Sequence, residues 1–177
     1  MASGGVQQLL PTWSINRITE RFEIDSIIRY CDKAFGEPVA ESTIYSDLLE
    51  KIYQRAIFIS AFSMYDAKPI GYCAFYANDP ESRDAYITLI AVRPEYQGQH
   101  IGKRLIEEVS SIALDRKMRT CTLEVMKNNL PAREFYRKNG FVFLRERDKS
   151  FLLTKELRPV RGDKNEYIRK ESDFASD

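Results

Sequence analysis

Apolar positions in this chain recur at two periods, and the switches between them mark out its elements. Ile24, Ile27, Ile28, Cys31 and Phe35 are spaced by threes and fours, the stripe of an amphipathic helix that ends near Gly36 and Pro38. A second helix is expected over 43–54, with Ile44, Leu48, Leu49 and Ile52 turned inward. Residues 56–64 and 70–76 are instead rich in β-branched and aromatic side chains and flank the turn Tyr65-Asp66-Ala67-Lys68-Pro69, which reads as a hairpin. A short first strand is expected over 14–18. From 86 to 92 the chain is almost continuously apolar, as in a strand covered on both faces. Ile101, Leu105, Val109 and Ile112 or Ala113 return to helical spacing and predict a helix over 101–117. A strand over 120–125 follows, then a helix over 131–138 framed by Pro131 and Gly140, and strands over 141–145 and 150–157.

This order predicts one α/β (α+β) domain over 13–157, a mixed, mostly antiparallel central sheet of about six to seven strands with helices on both faces. Residues 1–12 are small, polar and unpatterned and are expected to be disordered. The charged tail 158–177 is expected to be disordered or loosely docked.

The polar stretch Gln97-Gly98-Gln99-His100-Ile101-Gly102 joins the apolar strand to a helix. The first backbone N–H groups of a helix have no intrahelical partner and the macrodipole is positive there, so such a junction suits a phosphate. Glycines before a helix also serve plain turns, and spacing alone leaves both readings open. A P-loop is excluded, because only three residues separate Gly98 from Gly102-Lys103-Arg104 and no hydroxyl follows to hold magnesium. The G-x-G-x-x-G dinucleotide fingerprint is absent as well.

With 177 residues and 44% hydrophobic content, the chain suits one domain with a sizeable core. Lys+Arg 27 against Asp+Glu 26 gives no global field to recommend nucleic acid or an anionic membrane as partner. Cys31, Cys73 and Cys121 lie in apolar segments without C-x-x-C spacing and read as buried thiols in a reducing compartment. His100 is the only histidine, so neither a His-rich zinc site nor a Cys-His pair is easily assembled, and no metal is expected. With no apolar run of about 18 residues and no signal-peptide pattern, a soluble, cytoplasmic protein is expected.

Two blocks carry a resemblance. Val92-Arg93-Pro94-Glu95-Tyr96-Gln97-Gly98-Gln99-His100-Ile101-Gly102 resembles the acyl-CoA loop of GNAT-type N-acetyltransferases, Arg/Gln-x-x-Gly-x-Gly/Ala. Leu123-Glu124-Val125, then Asn129, Ala132, Phe135-Tyr136 and Gly140-Phe141, is similar to that family's strand followed by N-x-x-A-x-x-x-Y-x-x-x-G-F. Together they cover about 57–157 well and the N-terminal part weakly. His100 stands where the family usually has its first motif glycine. Its backbone is expected to tolerate the side chain without a positive φ, leaving the imidazole near the cofactor phosphates.

The resemblance implies direct transfer of an acetyl group from acetyl-CoA to a primary amine. Its alternative is a non-catalytic CoA-binding sensor or interaction module of the same fold. A nucleotide-phosphate-binding protein is a further rival, disfavoured by the missing hydroxyl. By the resemblance, backbone N–H groups of Gln99 to Lys103 would hold the pyrophosphate, with Gln97, Gly98, His100, Ile101, Gly102, Lys103 and also Arg104 around it. Ile90, Ala91 and Val92 would pair with the pantetheine arm, a bulge there splaying this strand from 120–125. Asn129 would orient the cofactor, and Tyr136 would contact it and protonate the departing thiolate. Glu124 would be the base, its pKa raised by desolvation, with Glu41, Tyr45, Tyr72 and Tyr76 as an alternative water relay. The first two helices would line the acceptor pocket. A small-molecule amine, an amino sugar and a protein N-terminus all stay open as acceptor, although the Leu-Glu-Val context resembles the N-terminal acetylating branch. A homodimer is left open.

Overall fold

The computed structural model describes residues 12–32 and 38–158. The expectations for 1–11, for Phe35 and Gly36, and for 159–177 lie outside the described residues. The described chain forms β1 (Trp13–Ile18), α1 (Arg21–Cys31), α2 (Tyr45–Arg55), β2 (Ile57–Ser63), β3 (Pro69–Tyr76), β4 (Asp84–Val92), α3 (Ile101–Asp115), β5 (Thr120–Met126), α4 (Leu130–Lys138), β6 (Val142–Glu146) and β7 (Ser150–Glu156). Its sheet has seven strands in the order β1-β2-β3-β4-β5-β7-β6. Among the described strands β4 and β5 alone pair in parallel, α3 being the crossover between them.

Each helical stripe lands where its period directs. Ile24, Ile27, Ile28 and Cys31 of α1 are buried with Phe58, Tyr72 and Ala74 on one face of the sheet. Ile101, Leu105, Val109 and Ala113 of α3 are buried on the other face with Ile87, Leu123 and Phe141. One inward expectation fails in α2: Ile44 is 66% exposed and Tyr45 is buried in its place. Ile44 is the N-cap residue of α2, so its side chain does not share the phase of the turns that follow. Tyr45 satisfies its hydroxyl by donating to Asp25 Oδ1 at 2.7 Å. The three cysteines are buried and free, and no described helix is long and apolar enough to cross a membrane.

A bulge sets up the site. Ala74 stands opposite Leu89, but the next residue, Phe75, stands opposite Ile87, so Thr88 is the extra residue of β4. The bulge lies at Thr88 and not at 90–92, which corrects the expectation. An extra residue inverts the alternation of side chains. Ile87 accordingly joins the α3 core while Leu89 packs with the α1 core. The parallel pairing of β4 with β5 runs from Asp84↔Thr120 to Ile87↔Leu123 and stops at the bulge. Beyond it the two strands diverge.

Candidate active site

The divergence opens a cleft of about 820 Å³, with Thr88 to Val92 on one wall and Leu123 to Met126 on the other. The start of α3 closes one end, and Pro131, Ala132, Phe135 and Tyr136 of α4 complete the lining.

The loop into α3 is braced before it turns. Arg93 donates its backbone N–H to Ile70 O at 2.9 Å, and its guanidinium lies 4.6 Å from the Tyr30 ring centre while pairing with Glu95. A short 3-10 turn, Pro94–Tyr96, follows. Gly98 (φ 79°) and His100 (φ 63°) then take left-handed conformations on either side of Gln99, in the kind of reversal that brings successive N–H groups together around an anion. His100 is the N-cap of α3, and no side chain caps the helix there. The first intrahelical bond runs from Arg104 N to His100 O at 3.0 Å, so Ile101, Gly102 and Lys103 have N–H groups without intrahelical partners. Gly102 matters for packing, because a Cβ there would meet Phe135 Cζ at 3.0 Å and Val92 Cγ2 at 3.6 Å.

At the other end, Asn129 caps α4 by accepting the Ala132 N–H on Oδ1 at 3.1 Å. This sets the helix so that Tyr136 is buried, tilted against Phe135 at 5.4 Å and edge-on to Phe141 at 5.7 Å between ring centres. Burial pushes the Tyr136 phenol well above the ordinary tyrosine range, with the neighbouring Cys73 adding to the effect. The hydroxyl therefore stays protonated through the ordinary pH range. Across the cleft Glu124 lies exposed on β5 with a partner on each carboxylate oxygen. Ser150 donates a hydrogen bond to Oε1, and Arg147 Nη1 stands 3.5 Å from Oε2.

This arrangement fits a long, anionic thioester: uncapped helix N–H groups for phosphate, a parted strand edge for an amide-bearing arm, and a protonated phenol and a carboxylate that both line the cleft. A sequence model of the "Acetyltransferase (GNAT) family" matches residues 24–141. The chain belongs to the GNAT acetyltransferase family.

As a member, it is an N-acetyltransferase that draws its acetyl group from acetyl-CoA. A Bacillus subtilis (strain 168) protein named "Putative ribosomal protein bS18-alanine N-acetyltransferase" is 31% identical over 118 residues, 67% of this chain and 74% of that one. The thialysine N-epsilon-acetyltransferase of Bos taurus is 34% identical over 73 residues, 40% of this chain and 43% of that protein. Two solved structures share the fold. The ribosomal-protein-S18-alanine N-acetyltransferase of Escherichia coli superimposes with a TM-score of 0.68 at 18% identity, covering 85% of this chain and 97% of that one. The PaiA N-acetyltransferase of Thermoplasma acidophilum, in complex with coenzyme A, gives 0.66 at 21%, covering 82% and 99%.

In this GNAT chain the cleft brings together Ile90, Ala91, Val92, Gln97, Gly98, His100, Ile101, Gly102, Lys103, Glu124, Asn129 and Tyr136. Gln99 is exposed and is not among the lining residues, because the left-handed residues on either side turn it outward. Gln97 spends its side-chain amide on the turn itself, donating to Val92 O at 3.1 Å. Arg104 pairs with Glu107 at 2.6 Å and lies outside the lining. His100 corrects the expectation of a negative φ: the chain reverses there, and the position keeps the left-handed geometry a glycine would take.

The proposed relay is dispersed. Tyr72 is fully buried and stacked on Phe58 at 5.2 Å with no partner for its hydroxyl, Tyr45 is committed to Asp25, and Glu41 is exposed on a 3-10 turn. None of these lines the cleft, and neither does Tyr76. Thr88, Ser150 and Arg147 were not found from the sequence. Their importance comes from strand pairing, which leaves no local mark.

Proposed function

We propose that this acetyltransferase acetylates the α-amino group at the end of a polypeptide by direct attack of the amine on the thioester, with Glu124 as base and Tyr136 as acid. Acetyl-CoA supplies an activated acyl carbon and a leaving thiolate. Backbone N–H groups of Ile101 to Lys103 bind its phosphates, helped by the Lys103 ammonium and the helix dipole. Amide groups on the parted edge of β4, from Leu89 to Val92, pair with its arm. Glu124 takes the proton that the acceptor ammonium must lose, and Tyr136 returns one to the sulfur.

The observation that carries the acceptor class is the exposure and double pairing of Glu124. A side-chain amine of pKa about 10.4 is neutral only about once in 2,500 molecules at pH 7, which costs about 4.6 kcal/mol, whereas an α-amino group near 7.8 costs about 1 kcal/mol. An exposed carboxylate already held by Arg147 and Ser150 suits the second task. The name of the Bacillus relative supports the same class. Glu124, Asn129 and Tyr136 all face one cleft, which favours catalysis over a CoA-binding module.

The test is a pH-rate profile of parent and Glu124→Gln with a peptide α-amine and with an alkyl amine. A mild loss on the peptide and little turnover of the alkyl amine are expected. A loss of orders of magnitude with the productive acceptor, rescued at high pH, would overturn the reading.

A further inference from the structure

The helix pair α1 and α2 covers one face of the sheet over β1 to β4, with Ile18, Phe58, Tyr72, Ala74 and Ala91 beneath it. Past β4 the same face turns polar. Asp84 Oδ1 accepts from Thr120 Oγ1 at 2.6 Å and Thr122 Oγ1 at 2.8 Å. Tyr86 stands level with Thr122, and Glu124 follows two residues on, on the same side of β5. The half-buried Tyr86 phenol is pushed up by burial and by the Glu124 charge, while Arg147 acts the other way, so all three groups share one field. This strip leads along the sheet face to the carboxylate.

Arg147 stands at its edge, on the turn from β6 to β7. Its backbone N–H donates to Ser150 O at 2.9 Å, and Lys127 N donates to Lys149 O at 3.0 Å, tying the turn to the end of β5. Lys127 also pairs with Glu146. The root of Arg147 is thus held beside Glu124 while its side chain remains 47% exposed. An exposed pair at 3.5 Å is weak and readily exchanged, and Ser150 keeps its hold on Oε1 when the guanidinium leaves.

Resting on the reading of Glu124 as base, we propose that Arg147 is the specificity-determining residue for the acceptor, exchanging its ion pair with Glu124 for the carbonyl or carboxylate oxygens that flank the reacting amine. An incoming α-ammonium takes the place of the guanidinium at Oε2. The freed guanidinium has five donors in a planar fork and grips the oxygens that an amino acid or peptide carries next to its amine. A diamine brings no such oxygen, and its second cation enters the field of Arg147. One residue therefore favours α-amino ends and disfavours polycations.

The experiment measures kcat/KM for an alanine-terminated peptide and for an alkyl diamine in parent, Arg147→Ala and Arg147→Lys. Arg147→Ala should lower the peptide value about 10- to 100-fold, mainly through KM, as expected for loss of a charged hydrogen bond. The diamine value should hold or rise. Arg147→Lys should keep the discrimination against the diamine and recover only part of the peptide value. Binding of acetyl-CoA, followed by calorimetry, should be unchanged in both and serves as the control for folding. Equal effects on both acceptors, or none on the peptide, would overturn the proposal. Glu124→Gln run in the same assay separates the two readings. If it leaves the rates intact while Arg147→Ala still shifts the ratio, the base assignment fails and the selectivity role stands.

Discussion

Ser150 stands opposite Met126 on β5 and reaches diagonally across the strand pair to hydrogen-bond Glu124, from a position that is itself buried. A buried hydroxyl holding an exposed carboxylate fixes where the proposed base points. Ser150→Ala should lower kcat about fivefold, the worth of a hydrogen bond of about 1 kcal/mol, with the dissociation constant of acetyl-CoA unchanged. Ser150→Thr, which keeps the donor, should restore most of the rate. A matching loss in both variants, or weakened donor binding, would show that Ser150 serves packing alone.

Gly102 tests the junction of helix and cleft. A methyl group there would press on Phe135 at 3.0 Å, while alanine in place of glycine gains about 1 kcal/mol of helix propensity. Gly102→Ala should leave the melting temperature of the free protein within a few degrees and reduce the stabilisation that acetyl-CoA confers, which for the parent is about 2.7 kcal/mol at a hundredfold excess over its dissociation constant. Thermal melts with and without the ligand check both. A full ligand shift in the variant would remove Phe135 and the first turn of α3 from the binding site.

His100 holds φ at 63°, a geometry that costs a non-glycine residue about 1–2 kcal/mol. His100→Gly relieves that cost but frees the unfolded chain, so stability should change little and acetyl-CoA affinity should stay within about tenfold. His100→Val, with a branched Cβ in the same geometry, should lower both the melting temperature and the affinity. Valine tolerated as well as glycine would mean that the loop does not keep this conformation.

Stability should fall in alkali. Burial pushes the thiols of Cys31 and Cys121 from an ordinary 9.0 up to about 12, and the buried Tyr72 and Tyr136 phenols also titrate late. Between the unfolded and folded values the unfolded chain releases protons that the native state retains. The contribution is full below about pH 9 and is lost progressively as pH rises toward 12. Urea midpoints at pH 8 and pH 10.5 should differ accordingly, and equal midpoints would contradict the burial of these groups.

The fold was legible because periodicity is local. The stripe of Ile101, Leu105, Val109 and Ala113 specifies a helix and its inner face without reference to anything else, and Asn129, Pro131 and Gly140 frame α4 by capping chemistry. What escaped was set by pairing between distant strands. The bulge at Thr88 depends on how β4 lies against β3, and the nearly continuous apolar run from Tyr86 to Val92 carries no polar/apolar alternation whose inversion would mark it. The Ser150 and Arg147 contacts to Glu124 join residues more than twenty positions apart. Ile44 misled because helix phase begins only after the cap. The glycine of the resembling motif is the one signal at His100, because a glycine position is one where the backbone is free to take a positive φ.

The stop of the β4/β5 ladder after four rungs, Asp84↔Thr120 to Ile87↔Leu123, also has a mechanical side. The sheet is two leaves, β1 to β4 and β5 to β7, joined along a short seam and laced over by α3. Pulled apart across that seam, the molecule should yield there first, because the load falls on few hydrogen bonds opened one after another from the mouth. A donor molecule paired with the free edge of β4, as proposed, would supply the missing rungs. Occupancy should then appear as a stiffer joint, a higher rupture force between attachment points on β3 and β7, before any change in shape is visible.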